Sequence, residues 1–389
     1  MPAHSAFRFS STARSVLLIA ACWLAHPRTA RATYSISYKL ADYREEADRM
    51  HVKTHYGLVE AELGTDMRLK VMGAIDSLAG ATPTGQPPAT PDGPVPLANI
   101  SDRRKAWSAD LSRQFQRVLV NAGFANSRES DYVSNGWSLN TQFDFNQKNT
   151  LLLLGAAGTD DDIRVFYQTD WVKKRTADFI VGVTQLLDPQ TSVTLNVSYG
   201  RSTGFHADPY RLIQKVTEIA PGVFLPRTFN ENRPDSREKW IGYAAINRAL
   251  PRANAAVEAS YRWFDDTFGT TAHTVEVAWF QKIGERFVLR PSYRYYDQSA
   301  ADFYRVDLTG TAIDPTSTPN PAGPFFSADY RVSALRAETL GLKAIWTIDE
   351  HWQIDLAIER YEMRGRKGRT SPHMYPTAAI VSAGVKFAW

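Results

Sequence analysis

From residue 33 onward, apolar and polar positions alternate with a period of two. In 253–265, Ala253, Ala255, Val257, Ala259, Tyr261 and Trp263 fall on one face, and Asn254, Glu258, Ser260 and Arg262 on the other. A strand points successive side chains to opposite sides, so the segment has one apolar and one mostly polar face. Trp137, Leu139, Phe143 and Phe145 oppose Ser138, Asn140, Gln142 and Asp144 in the same way. Val193, Leu195, Val197 and Tyr199 oppose Thr194, Asn196 and Ser198, and Trp352, Ile354, Leu356 and Ile358 oppose Gln353, Asp355 and Glu359.

About sixteen segments read so: 34–44, 49–63, 66–79, 102–114, 117–127, 132–145, 149–158, 174–187, 191–203, 237–249, 253–265, 270–282, 286–298, 332–347, 351–363 and 376–389. Most exceed the usual five or six residues of soluble strands, and about ten tilted residues cross a bilayer. The connections alternate in length. Very short ones include Gly64-Thr65, Asp188-Pro189-Gln190 and Asp349-Glu350; the long ones are about 80–101, 159–173, 204–236, 299–331 and 364–375. Proline collects in the long connections, where no ladder donor is needed, and Pro291 alone interrupts a predicted strand, marking a bulge or a register error. Short turns at one end and long loops at the other predict an all-β fold: a transmembrane antiparallel β-barrel of about sixteen strands, with short periplasmic turns and long extracellular loops.

Composition narrows this further. The mean hydropathy of −0.34 excludes a bundle of membrane helices. One apolar run, Val16–Ala25, is too short to span as a helix. It follows Arg8 and Arg14 and precedes Ala30-Arg31-Ala32, the layout of a secretory signal peptide over 1–32, leaving 33–389 as the barrel. Ile19-Ala20-Ala21-Cys22 fits lipoprotein processing instead, with Cys22 lipidated, so both readings stay open. Cys22 is the only cysteine, so the mature chain has no disulfide to rely on. A formal charge of +4 without a dense basic patch gives no reason to expect nucleic acid as a partner.

At the C-terminus Val381, Ala383, Val385, Phe387 and Trp389 share a face. A last strand ending in an aromatic residue resembles the signal read by the outer-membrane assembly machinery, with Val385, Phe387 and Trp389 carrying it. Expected partners are therefore outer-membrane lipid and that machinery. Tyr34, Trp137, Tyr199, Trp263, Tyr293, Tyr295 and Trp352 lie near predicted strand ends, as lipid–water girdles would require.

The phrases SLAGATP (77–83), DPYRL (208–212), NRPDSR (232–237), SYRWFDDTFG (260–269), HTVEVAWFQ (273–281), RPSYRYYDQSAADFY (290–304) and FFSADYRVSAL (325–335) together resemble an uncharacterised family of Gram-negative outer-membrane β-barrel proteins, a domain of unknown function. The resemblance covers nearly the whole mature chain and implies no substrate, cofactor or catalytic residue. It also implies company with periplasmic flavin-transfer and thioredoxin-like proteins, hence a barrel serving a periplasmic redox or metal-handling system.

Candidate chemistry is sparse. Asp160-Asp161-Asp162 offers oxygens for a hard cation but lacks the spacing of a calcium loop, and reads as a solvated acidic loop. Asp265-Asp266 and Glu45-Glu46 read alike. His51 and His55 share a strand face with no evident third ligand. Ser260 and His273 lie on adjacent predicted strands, as many uninvolved pairs do. No metal or cofactor is expected, and the chain is read as not an enzyme. The polar faces carry Arg68, Lys70, Asp110, Asp144, Asp178, Glu258, Arg262, Glu276, Arg290, Arg294, Asp355 and Glu359, which would line a lumen of both charge signs or pair along the wall. Loops 204–236 and 299–331 are long enough to fold inward, and Phe325, Phe326 and Tyr330 suit packing inside the mouth. Three functions follow: a channel or transport-accessory barrel for a small solute; a non-conducting barrel that binds a partner, such as a periplasmic redox protein or surface ligand; and, least favoured, an outer-membrane hydrolase.

Overall fold

The computed structural model describes residues 34–90, 93–316, 318–366 and 370–389, so the 1–32 signal segment, Cys22 and the proposed cleavage sites lie outside the described residues. Alternation drives the chain into long strands: β1 (Ser35–Glu45), β2 (His51–Leu63), β3 (Met67–Pro83), β4 (Leu97–Phe115), β5 (Val118–Arg128), β6 (Tyr132–Phe145), β7 (Thr150–Ile163), β8 (Val172–Asp188) and β9 (Thr191–Gly204). A hairpin of β10 (Leu212–Ala220) and β11 (Val223–Asn230) follows. The wall then resumes with β12 (Ser236–Leu250), β13 (Ala255–Asp266), β14 (Thr271–Ile283), β15 (Phe287–Gln298), β16 (Leu335–Thr347), β17 (Trp352–Gly365) and β18 (Thr377–Ala388).

Sixteen of these strands close an antiparallel barrel in sequence order, with β9 joined directly to β12 and β18 to β1. Closure leaves no edge whose backbone groups would go unpaired in hydrocarbon. At the seam, Tyr34 N–H donates to Trp389 O (3.0 Å) and Trp389 N–H to Tyr34 O (2.9 Å). Both termini of the barrel lie at its short-turn end. No helix of the described residues is long and apolar enough to cross a membrane.

The outer wall is apolar. Ile36, Tyr38, Leu40, Leu139, Val181, Leu195, Val277, Leu340, Leu356 and Ile358 are all exposed, as lipid-facing residues of an isolated barrel must be. Trp352, Phe387 and Trp389 form an outward aromatic cluster at the short-turn end, with Phe387 4.7 Å from Trp352 and 5.4 Å from Trp389. Tyr34 stacks on Trp389 at 5.9 Å. Trp137, Trp263 and Tyr293 are also exposed on the outer wall.

Four expectations need correction. Loop 204–236 is not irregular: it holds the β10–β11 hairpin, whose strands belong to no barrel ladder. Asp160, Asp161 and Asp162 are not in a loop, because β7 and β8 run on to the rim and pair them with Arg175, Lys174 and Lys173. Alternating faces then split the triad: Asp161 is buried against Lys174 (3.0 Å) and Ser134 (2.6 Å), while Asp160 meets Arg175 outside (3.0 Å). The connection at 80–101 is narrower, since β3 and β4 pair as far as Pro83 and Leu97. Pro291 makes no bulge: β14 and β15 keep one register on both sides of it, and only the adjoining bridges to β14 are missing.

Gly204 ends β9 with a φ of +104°, where a Cβ would overlap the Lys173 carbonyl. Gly204→Val is expected to cost about 2 kcal/mol or more from backbone strain alone. The check is the temperature at which the folded, fast-migrating gel band is lost, which should fall.

Candidate functional site

Inward positions alternate with the exposed apolar ones, and this places the sequence-predicted lumen set. Val71 faces out, so Arg68 and Lys70 face in; likewise Leu139 for Asp144, Tyr261 for Glu258 and Arg262, Val275 for Glu276, Tyr293 for Arg290 and Arg294, and Leu356 for Asp355 and Glu359. All ten face the lumen, as do Asp110 and Asp178 by the same parity. The structure links many of them across strands. Lys70 pairs with Glu60 (3.0 Å), Arg68 with Glu62 (3.2 Å), Arg290 with Glu276 (3.7 Å), and Asp355 with Lys343 (3.1 Å) and Lys39 (3.4 Å). Gly384 opposite Asp355 leaves room for that carboxylate to lie along the wall, since a Cβ there would overlap it. These groups stay in reach of water: the side chains of Arg290 and Glu276 are 23% and 39% exposed.

Above this solvated band the long loops pack into a dry cap. Three apolar knots hold it. Ile213, Leu308, Phe326 and Ala328 form one; Phe268, Ala301 and Phe303 a second; Val95, Tyr330, Leu335, Met374 and Tyr375 a third. Each fully buried large side chain contributes about 1.5–3 kcal/mol. Phe326 and Tyr330 thus pack inside the mouth, and Phe325 packs against the second knot.

Between the knots lies a network of buried charge from three places in the sequence. Arg331 Nε donates to both oxygens of Asp329 (2.8 and 2.9 Å), and its terminal nitrogen reaches Asp208 (2.6 Å). Arg233 bridges Glu231 (2.9 Å) and Asp329 (2.8 Å). Arg211 lies 3.4 Å from Asp208 and 3.9 Å from Asp329. The Asp208 backbone N–H and the Ser327 hydroxyl both donate to Glu231, which is 0% exposed. Three acids face three guanidiniums, so formal charge balances, as burial requires. Burial alone would raise Asp329, but Arg331, Arg211 and Arg233 outweigh it and hold it far below the carboxylate range. Glu231 goes the other way: burial, with Asp329 and Asp208 adding to it, lifts it above its ordinary value against the pull of Arg233.

The cap spans the mouth. Arg211 issues from the connection between β9 and β12, yet it donates to Thr82 of β3 (3.0 Å), and Leu212 N–H donates to Thr84 O (2.8 Å). β3 is six places from β9 around the ring, so this connection crosses most of the opening. The 299–334 connection is laced to it by Asn232–Phe326 bonds in both directions (2.9 and 2.8 Å) and by Leu308 N–H to Gln214 O (2.8 Å). Tyr210 donates to Asp131 in the β5–β6 turn.

Other sequence candidates do not assemble. Ser260 faces the lumen and pairs with Glu276, while His273 lies opposite Trp263 and bonds Tyr261 outside (2.8 Å); the wall separates them. His51 and His55 both face out but turn to Asp42 (2.9 Å) and Tyr38 (2.7 Å). Glu45 pairs with Arg49 (3.2 Å), Glu46 with Arg360 (3.1 Å), and Asp266 with Arg237 (2.7 Å). Asp102, Glu129 and Asp131 bring carboxylate oxygens within 4.8 Å of one another. They are hard-cation donors, though three residues fall short of the six to eight oxygens typical of calcium.

Sequence reasoning passed over the six cap residues. A signal was there: an acid followed two or three positions later by arginine recurs as Asp208–Arg211, Glu231–Arg233 and Asp329–Arg331, in or beside the phrases DPYRL, NRPDSR and FFSADYRVSAL.

Solved structures give the same architecture. A bacterial polysaccharide outer membrane secretin matches with a TM-score of 0.51 at 10% identity, over 93% of this chain and 100% of that one. OmpT, an outer membrane protein of Vibrio cholerae, matches at 0.44 and 8% identity over 94% and 100%. The siderophore receptor PirA from Pseudomonas aeruginosa matches at 0.44 and 12% identity over 93% of this chain, which spans 62% of that receptor. At such identities the likeness is one of fold, that of outer-membrane barrels. No curated protein matches. The family model for proteins of unknown function designated DUF3570 matches residues 12–383, and the chain belongs to that family.

Proposed function

We propose that this barrel is a channel for a small polar solute, closed at its long-loop end by a cap that opens as a unit. One observation carries the reading: a water-accessible lumen lined by both charge signs lies beneath loops that cross the mouth and lock through buried ion pairs. A filled structural barrel would have no need to keep Arg290, Glu276, Lys343 and Asp355 in contact with water. Charged linings of this kind set ion preference.

The test is the reversal potential across a salt gradient, measured on protein with 303–328 replaced by a short Gly-Ser linker. Arg290→Gln with Arg294→Gln is expected to shift it toward cation selectivity by several millivolts, and Glu258→Gln with Glu276→Gln the opposite way. No current in any of these variants would count against a channel.

A second reading, a barrel that binds a partner, is favoured by the hairpin. Its root is fixed in the cap through Ile213, but Ile219, Val223, Phe224 and Leu225 near its tip are exposed. A lone two-stranded hairpin is marginal in water. Its position favours a partner on the long-loop side over the periplasmic redox protein that the sequence resemblance implies. Deleting 216–226 should abolish specific capture of such a partner while leaving conductance unchanged.

A further inference from the structure

On the outer wall, one sector differs from the rest. Toward the long-loop end, outward cations elsewhere sit beside acids: Arg175 with Asp160 (3.0 Å), Lys173 with Asp162 (3.7 Å), Arg201 with Glu238 (3.8 Å), Arg364 with Glu362 (2.7 Å) and Arg360 with Glu46 (3.1 Å). Between β2 and β5 the pattern breaks. Lys53, Arg103, Lys105 and Arg128 are all exposed, and none is ion-paired among the described residues. Register makes them one patch. Lys53, Ser77 and Arg103 form a row across β2, β3 and β4, and Lys105 pairs directly with Arg128 one row nearer the membrane. Three strand spacings are roughly 14 Å, so four cations share a patch of that width. Asp42, opposite Lys53, is already engaged by His51 (2.9 Å) and Arg44 (3.3 Å). Asp102 and Glu129 face the interior, on the other side of the wall, by strand parity.

The next row down has an unusual shape. It runs Tyr38, Gly57, Gly73, Trp107 across β1 to β4. Tyr38 and Trp107 project outward, and beside both glycines a Cβ would meet nothing within 4 Å. Two aromatic walls therefore flank a shallow channel of bare backbone on the lipid-facing surface. Trp107 is backed by Phe124 at 5.6 Å. An aromatic belt topped by uncompensated cations is the place for a lipid whose head group carries negative charge. Arginine suits phosphate because its fork of donors matches the oxygens.

We propose that this sector binds a phosphorylated glycolipid of the surrounding leaflet. Its phosphates engage Lys53, Arg103, Lys105 and Arg128, and one acyl chain lies over Gly57 and Gly73 between Tyr38 and Trp107. The inference requires the barrel to sit in an outer membrane but is independent of whether it conducts.

Native mass spectrometry of the purified barrel in detergent tests it, with bis-phosphorylated lipid A and the same lipid stripped of phosphate as ligands. The barrel should retain the phosphorylated form. Lys105→Gln with Arg128→Gln should weaken that binding at least tenfold, and so should filling the groove with Gly57→Leu and Gly73→Leu. Lys173→Gln with Arg175→Gln, in a paired sector, should leave it unchanged. Heat-modifiable gel mobility monitors folding of each variant. Equal retention of the phosphate-free lipid, or equal loss in the paired-sector control, would overturn the proposal. So would complete displacement by millimolar inorganic phosphate, which would mark a simple anion site.

Discussion

Asp329→Asn is expected to turn a mostly closed barrel into a frequently open one without unfolding the wall. The substitution keeps size and shape but removes one of the three charges that offset Arg211, Arg233 and Arg331. Breaking a buried ion network by neutralising one member costs about 3–5 kcal/mol, chiefly because charge is left without compensation. The cap must bear that cost, since Asp329 is a cap residue and the ladders of the wall do not involve it. At 1.4 kcal/mol per tenfold, the open-to-closed ratio should rise a hundredfold or more. Open probability in a planar bilayer is the readout, with heat-modifiable mobility unchanged. Charge balance gives a second check: adding Arg331→Gln to Asp329→Asn should recover part of the closure. If the double variant opens further still, geometry rather than charge holds the cap.

Acid on the long-loop side should also open it. His206 follows β9 inside the cap, with Nε2 2.7 Å from the Ser202 hydroxyl, Nδ1 2.9 Å from the Gly204 carbonyl and its ring edge-on to Phe268. Burial, then Lys174, Arg237 and Arg233, lower its pKa to about 4 from 6.5. In an open cap the imidazole returns to its ordinary value. The closed state therefore binds fewer protons, and closure weakens as pH falls from 6.5 toward 4, then levels off. At pH 5 the loss is about 2 kcal/mol, roughly thirtyfold in the open-to-closed ratio. Glu231 works against this, because its raised pKa means that the closed cap gains a proton on acidification. Asp329 adds to opening only below the ordinary aspartate range, where an open cap would begin to protonate it. The difference between wild type and His206→Gln isolates the histidine. A pH response identical in both would remove His206 from the account.

The wall was legible in the sequence because the bilayer imposes one rule on every strand. Apolar alternation fixed both the strand count and the face of each charge, so Glu258, Glu276, Arg290, Arg294 and Asp355 fall where period two puts them. Asp161 shows the limit. A triple aspartate reads as a solvated loop until Lys173, Lys174 and Arg175 are known to lie across from it, and that pairing spans a turn whose length local pattern does not set. The cap was legible only in part. Phe326 and Tyr330 announced packing by being too apolar for a loop tip. The hairpin went unseen because Pro226 and Gly222 argue against strands locally, and packing at Ile213 and Leu308 overrides them. The ion network joins residues up to 123 positions apart, as Asp208 and Arg331 are, and only the folded loops bring them together.

The most direct measurement is single-channel conductance of the barrel before and after replacing 303–328 with a short Gly-Ser linker, in the same bilayer and salt. A closed cap over an open lumen predicts rare, brief openings in the intact protein and long-lived steps in the shortened one. Equal, sustained conductance in both would show that the loops are no barrier, and silence in both would show that the lumen is blocked below them.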